Sequence, residues 1–187
     1  YRLVSSFPTL ESALALLYRS SLIHIVLLLL ALGLLGRRDR ARELNMLLIT
    51  TSFPMVVLSG FLPAQSAWIQ YDMGLEKAYH LSQFESLRNG TLRVLEPGTL
   101  LGIVTFPSFH TAIALTLVWV TRGIAWLFWP TLVVNLGVLV SIPSEGGHYF
   151  IDAFAGALLT GAAISAAARR ARLNRAVAYT PPAPTRP

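Results

Sequence analysis

The chain has 187 residues, of which 54% are hydrophobic and only 13% charged, and its mean hydropathy is +0.58. Soluble domains have about a quarter charged residues, so this composition excludes an ordinary soluble fold and indicates a bilayer protein, and the lack of cysteine excludes disulfides and thiolate metal sites. The net charge is +6, but the arginines cluster beside apolar segments, which favours contact with a membrane surface and argues against nucleic acid as a partner.

Five apolar stretches could cross a membrane as helices, which takes about 20 residues each. In chain order they are residues 10–36, 44–62, 98–120, 123–142 and 148–168. The sequence therefore predicts an all-α, polytopic bundle of membrane helices, and we expect a sixth helix upstream of Tyr1. Pro54 is expected to kink the second span. Small residues of the fifth span are expected to allow close helix packing, namely Gly156, Gly161, Ala162 and Ala163.

The segments outside the spans are polar or basic. Residues 63–97 are too polar to cross the membrane and are predicted to form one or two short surface helices between spans two and three. We expect residues 1–168 to form the transmembrane domain. Residues 169–187 are predicted to be a basic, proline-rich, disordered cytoplasmic tail.

The distribution of arginine predicts the orientation. If the five spans alternate in direction, three arginine-rich regions fall on one side, which the positive-inside rule makes cytoplasmic. These arginines are Arg37, Arg38, Arg40, Arg42, Arg122, Arg169, Arg170, Arg172 and Arg175. The opposite side, which faces the periplasm, the cell exterior or an organelle lumen, then carries residues 63–97 and the two polar stretches described next.

The first polar stretch is "FPSFHTA", residues 106–112. We expect Pro107 to open a helix, Ser108 to cap it or contact a ligand, and the free amides of the helix start to attract an anion. His110 lies in this first turn. The 14 residues 108–121 precede Arg122 and give roughly 21 Å of helix, so the site is expected slightly below the membrane surface.

The second polar stretch is "SIPSEGGHYFIDAFAG", residues 141–156. If the fifth helix starts near Gly147, His148 and Asp152 share one helix face, one turn apart. A carboxylate beside an imidazole fixes its tautomer and stabilises its cation, which leaves the other ring nitrogen competent as a nucleophile or base. The two glycines before His148 give a turn whose amides can approach an anion.

Two histidines, one carboxylate, one serine and a helix start suit phosphoryl transfer, with one histidine attacking phosphorus and the other protonating the departing oxygen. An arginine fork matches phosphate well, and the nearest outward candidates are Arg88 and Arg93, with Lys77 a weaker one. The other histidines have simpler interpretations: we expect a structural hydrogen bond for His24 and a solvated side chain for His80.

These residues resemble a known family. "FPSFH" resembles the P-S-x-H motif of the phosphatidic acid phosphatase type 2 superfamily, and "SIPSEGGHYFID" resembles its S-(R)-x5-H-x3-D motif. Within the superfamily, "LRNG" at 87–90 is similar to the first motif of the inositol phosphorylceramide synthase-like branch. The resemblance covers residues 10–168.

The resemblance implies a role for each site residue. His148 would be the nucleophile that forms a phosphohistidine, Asp152 would orient it, and His110 would be the general acid and then the base. Ser108 and Arg88 would bind the phosphate, and neither a metal nor another cofactor would be required. The substrate would be a membrane lipid phosphate.

Two departures from the family pattern affect the expected reaction. Ile142 replaces the family arginine, and the lysine of the usual first motif has no counterpart. Hydrolysis and transfer to an alcohol acceptor therefore both stay open. Two alternatives are a zinc site built from His110, His148, Asp152 and Glu145, and a non-catalytic membrane scaffold or channel.

Overall fold

The computed structural model describes residues 2–71, 86, 88–91, 93–94 and 105–178. Over these residues it contains helices and no strands, which confirms the all-α prediction. The helices are α1 (Arg2–Ser5), α2 (Pro8–Leu34), α3 (Arg38–Phe61), α4 (Ala67–Gln70), α5 (Phe109–Thr121), α6 (Ala125–Glu145) and α7 (Phe150–Ala178).

Four of these helices, α2, α3, α6 and α7, are long and apolar enough to cross a membrane. The predicted third span corresponds to α5, which has only 13 residues; residues 98–104 of that prediction lie outside the described residues. Many large apolar side chains of the long helices are exposed, such as Leu16, Leu27 and Leu30. An apolar outer surface of this kind is what a bilayer requires.

The short helix α5 forms the centre of the bundle. It packs against α2, α3, α6 and α7, and Ile113, Leu117 and Val120 are completely buried. The helix begins where the Ser108 side chain accepts a hydrogen bond from the backbone N–H of Thr111. Because four longer helices surround it, α5 can present polar residues at its two ends without exposing them to lipid.

Helix α2 contacts the bundle through a stripe of side chains spaced alternately by four and three residues. The stripe consists of Leu14, Tyr18, Ser21, Ile25, Leu28 and Leu32. Ser21 is buried and its hydroxyl bonds back to the Tyr18 carbonyl oxygen at 2.7 Å. The stripe thus places one aromatic hydroxyl, that of Tyr18, against the interior of the bundle.

His24 has the structural role expected of it. Its Nδ1 lies 3.3 Å from Nδ2 of Asn135 on α6, and the same amide nitrogen donates to the Thr131 carbonyl oxygen at 2.8 Å. The hydrogen bond joins α2 to α6 inside the membrane, where an unpaired polar group is costly.

Three local predictions are wrong. Pro107 precedes the cap of α5 and does not open the helix, because Ser108 takes the cap position. Gly161 makes no close packing contact: an added Cβ would meet nothing within 4 Å. Residues 169–178, predicted as the start of a disordered tail, continue α7, since alanine and arginine are strong helix formers and proline appears only later.

Candidate active site

His148 lies in a tight turn between two membrane helices. Helix α6 ends at Glu145, and Gly147 adopts a φ of +59°, which favours glycine, before α7 begins at Phe150. The sequence predicts that this helix starts near Gly147, which would put His148 in its first turn. In the structure His148 precedes the helix. Its ring is nevertheless buried, with 6% of the residue exposed.

His148 faces Asp152, as the four-residue spacing predicts. Nδ1 of His148 lies 3.5 Å from Oδ2 of Asp152, within ion-pair distance, but among the described residues this buried ring nitrogen has no hydrogen-bond partner. The same Oδ2 accepts a hydrogen bond from the backbone N–H of Tyr149 at 2.8 Å. The carboxylate therefore caps α7 and lies beside the imidazole at once.

The Tyr149 phenol lies at the edge of this turn, and its surroundings shift its pKa. Burial raises the pKa of its phenol, and the neighbouring Tyr71 and the Asp152 carboxylate raise it further. The Tyr71 and Tyr149 rings lie 6.4 Å apart. The phenol of Tyr149 therefore keeps its proton at neutral pH.

The two polar stretches are in direct contact. The backbone N–H of Ser108 donates to the Asp152 carbonyl oxygen at 3.0 Å. An added Cβ on Gly156 would lie only 2.5 Å from the Ser108 carbonyl oxygen, so the absence of a side chain there allows α7 to approach the start of α5. Ser108 itself is completely buried.

His110 lies in the first turn of α5 and stacks on Tyr18. The two ring centroids are 3.8 Å apart with an interplanar angle of 22°. Both side chains crowd Gly146. An added Cβ at Gly146 would lie 2.8 Å from the Tyr18 hydroxyl and 2.5 Å from Cδ2 of the His148 ring. Through Tyr18, the His110 ring and the His148 ring therefore lie on the same side of the bundle. One tyrosine thus packs between the two histidine-bearing segments.

Part of the segment between α3 and α5 supports the His148 turn from the other side. The Gly147 carbonyl oxygen accepts from the Ser66 hydroxyl at 2.9 Å and from the Ala67 backbone N–H at 2.7 Å. The Trp68 indole donates to the Ser144 carbonyl oxygen at 3.2 Å. Residues 66–68 are buried, so the prediction of a surface segment is wrong for them.

The remaining candidate residues lie apart from this cluster or outside the described residues. Arg88 and Arg93 are exposed, and within the described part of the chain no contact joins Arg88 to either histidine. Lys77 and His80 lie outside the described residues. Ile142, at the position of the family arginine, is buried.

The geometry gives no support to the zinc alternative. Among the described residues, no group of three or more His, Cys, Asp or Glu side chains is arranged to hold a metal ion. The four side chains of that hypothesis, His110, His148, Asp152 and Glu145, therefore do not form a ligand set.

Sequence reasoning missed Tyr18 and the pair Ser66 and Trp68. One feature of the sequence could have indicated Tyr18: it and Ser21 are the polar members of an otherwise aliphatic stripe on α2. Ser66 caps α4 by accepting from the Trp68 backbone N–H, but nothing in the sequence indicates that this turn docks on Gly147.

A membrane-embedded helical bundle with a buried His–Asp pair beside a second histidine defines the class: a membrane protein with a site suited to phosphoryl transfer. A profile of the PAP2 superfamily matches residues 1–166, and the chain belongs to that superfamily. Membership indicates a phosphatase-type phosphoesterase that acts on lipid phosphates. Searches of curated proteins and of solved structures found no significant match.

Proposed function

We propose that the protein cleaves or transfers a phosphate ester of a membrane lipid through a phosphohistidine on His148, at the non-cytoplasmic end of the bundle. The observation that carries the proposal is the buried pair of His148 and Asp152, with 3.5 Å between Nδ1 and Oδ2. An aspartate at Nδ1 keeps a proton on that nitrogen and leaves the lone pair of Nε2 free to attack.

In the first step, Nε2 of His148 bonds to phosphorus and the bond from phosphorus to the lipid oxygen breaks. His110 donates a proton to that departing oxygen, and the Asp152 carboxylate stabilises the positive charge that develops on the His148 ring. In the second step, His110 takes a proton from water or from an alcohol, whose oxygen attacks phosphorus and releases His148.

Two sets of groups would hold the phosphate oxygens. Ser108 caps Thr111, so the first-turn amides of α5 at Phe109 and His110 are the donors left for an anion. Arg88 is the arginine we assign to the phosphate, together with the Ser108 hydroxyl. Its exposed position leaves the side chain free to reach a headgroup.

The acceptor of the phosphoryl group decides whether the reaction is hydrolysis or transfer to an alcohol. The similarity of "LRNG" at 87–90 to the first motif of the inositol phosphorylceramide synthase-like branch supports membership of that branch. Ile142 supplies no cation to the phosphate, which supports transfer to an alcohol acceptor. The competing outcome is hydrolysis, in which water takes the same place on the phosphohistidine. Phosphate release, measured with and without candidate alcohols, separates the two.

The His148→Ala variant tests the nucleophile. We expect turnover of lipid phosphates to fall by at least about 10³-fold, because no other group forms the covalent intermediate. The measurement is phosphate or product release by purified protein in lipid nanodiscs. In addition, radioactive substrate should label the wild type, and the label should be acid-labile and base-stable, as a phosphohistidine is. His24→Ala is the matched control and should retain activity. A His148→Ala protein with wild-type activity and normal helix content would refute the assignment.

A further inference from the structure

A second polar site lies at the other end of the bundle, away from the two histidines. An open cavity of about 590 Å³ forms where the start of α3, the end of α5 and the last turns of α7 meet. Its charged lining consists of Asp39, Arg40, Arg42, Glu43, Arg122 and Arg175, and three apolar residues of α3 and α7 complete it. Four guanidinium groups thus surround the space with only two carboxylates.

One of the two carboxylates is already committed. Glu43 forms an ion pair with Arg122, with 2.7 Å between Oε1 and Nη2, and another with Arg40 at 3.0 Å. Its Oε1 also accepts from the Trp119 indole at 2.9 Å, and the Arg122 guanidinium lies 3.9 Å from the centroid of that ring. This network fixes the wall of the cavity and leaves Glu43 no capacity to neutralise a third arginine.

The other two arginines lack such partners. Within the described ranges, neither Arg42 nor Arg175 is paired with a carboxylate, and both side chains are exposed at the cavity. They project from different helices, α3 and α7, toward one space. Two unpaired guanidinium forks around a common space are suited to a phosphate group, which they can bind through paired hydrogen bonds.

The position of the cavity indicates that its occupant is a lipid. Trp126 and Trp129 lie at the start of α6, a few residues after Arg122, and are 63% and 62% exposed. Exposed tryptophans at a helix end are typical of the headgroup level of a bilayer. The apolar part of the lining, Met46, Ala167 and Ala171, can contact the glycerol and upper acyl carbons.

We propose that this cavity binds the phosphate group of an anionic phospholipid in the leaflet opposite the histidine site. Arg42 and Arg175 hold the phosphate, while the Glu43–Arg122–Trp119 network keeps the cavity open. Basic pockets between membrane helices are known to recognise anionic headgroups in this way. The site is separate from the proposed reaction and does not depend on it.

The test is lipid binding by the full chain in detergent, measured by native mass spectrometry during titration with phosphatidylglycerol. We expect the double variant Arg42→Gln with Arg175→Gln to bind roughly tenfold more weakly than the wild type. The matched control is Arg37→Gln with Arg172→Gln, which removes the same charge from the same end but not from the cavity, and it should bind like the wild type.

Equal affinity of the two double variants would overturn the proposal, and so would a wild-type protein that binds phosphatidylcholine as well as phosphatidylglycerol. Displacement of the lipid by millimolar inorganic phosphate would assign the site to a free anion and overturn the proposal as well.

A second measurement, on the wild type alone, does not depend on the folding of the variants. Phosphatidylglycerol should protect Arg42 and Arg175, but not Arg37 and Arg172, from phenylglyoxal; uniform protection would contradict the proposal.

Discussion

A single oxygen of Asp152 makes two contacts at the His148 turn. Its Oδ2 lies 3.5 Å from Nδ1 of His148 and accepts the Tyr149 backbone N–H at 2.8 Å. The hydrogen bond from Tyr149 fixes the carboxylate at the start of α7, and in the proposed mechanism the fixed carboxylate orients the imidazole. The charge and the capping geometry of Asp152 can therefore be separated by substitution.

The Asp152→Asn variant separates them. Asparagine still accepts the Tyr149 N–H, so we expect the unfolding temperature to change little. The neutral amide no longer favours the Nδ1–H tautomer or stabilises the imidazolium, and kcat should fall by roughly 10³- to 10⁴-fold. Steady-state turnover and thermal unfolding of the same preparation check both points. A variant within tenfold of wild-type kcat would show that Asp152 is only a helix cap.

We expect Tyr18 to act as a positioning residue for His110. Its ring stacks on the imidazole at 3.8 Å, so Tyr18→Ala should let the imidazole move and lower kcat by about 10- to 100-fold, with little effect on KM. Tyr18→Phe keeps the stacked ring and is expected to retain most of the activity. Equal losses in the two variants would assign the effect to the hydroxyl and not to the stack.

At the scale of elements, the site depends on how closely α7 approaches the start of α5. Gly156 is the point of contact, since an added Cβ would lie 2.5 Å from the Ser108 carbonyl oxygen. That carbonyl belongs to backbone, which cannot rotate away as a flexible side chain can. A single methyl group would therefore push apart the two helices that carry His110 and Asp152.

Two alanine substitutions in α7 measure this effect. Gly156→Ala should destabilise the protein by about 1–3 kcal/mol and lower activity, because the start of α5 must shift. Gly161→Ala, five residues later, meets open space and should be neutral or stabilising by up to about 1 kcal/mol, because alanine favours the helix. Thermal unfolding and turnover of both variants are the measurements; indistinguishable stabilities would contradict the packing argument.

The elements could be predicted where a local pattern decides the structure. Long apolar runs gave the membrane helices, and the short spacing from His148 to Asp152 gave their contact. The docking of Ser66 and Trp68 on Gly147 depends on how distant elements pack together, and no local pattern records it. Tyr18 was missed for the same reason, since its partner His110 is distant in the chain and belongs to another helix.

At the scale of the whole molecule, the bundle has two different ends. One end holds the histidines and Asp152, which are buried or half-buried, while the other holds the network of Glu43, Arg122 and Trp119 and the arginines around it. Helix α5 reaches from one to the other. The arginine distribution predicts that the arginine end is the cytoplasmic one, and this orientation stays a prediction.

The lack of cysteine in the chain allows that orientation to be tested by single-cysteine labelling. Val94→Cys, at a position 73% exposed in the segment between α3 and α5, should react with a membrane-impermeant maleimide on intact cells or spheroplasts. Arg37→Cys, in the exposed turn between α2 and α3, should react only after permeabilisation. The reverse pattern would place the histidine site in the cytoplasm.

The length of α5 has an electrical consequence. Its 13 residues span about 20 Å, whereas the hydrocarbon core of a bilayer is about 30 Å thick, so both ends of the helix cannot reach the two surfaces of the core. Under the proposed function, a phosphate that reaches a His110 lying below the membrane surface travels part of the way through the field that the membrane voltage imposes. Moving one charge across the whole field involves about 2.3 kcal/mol per 100 mV, so the binding energy of an anionic headgroup that enters a fraction of the field depends on the membrane potential.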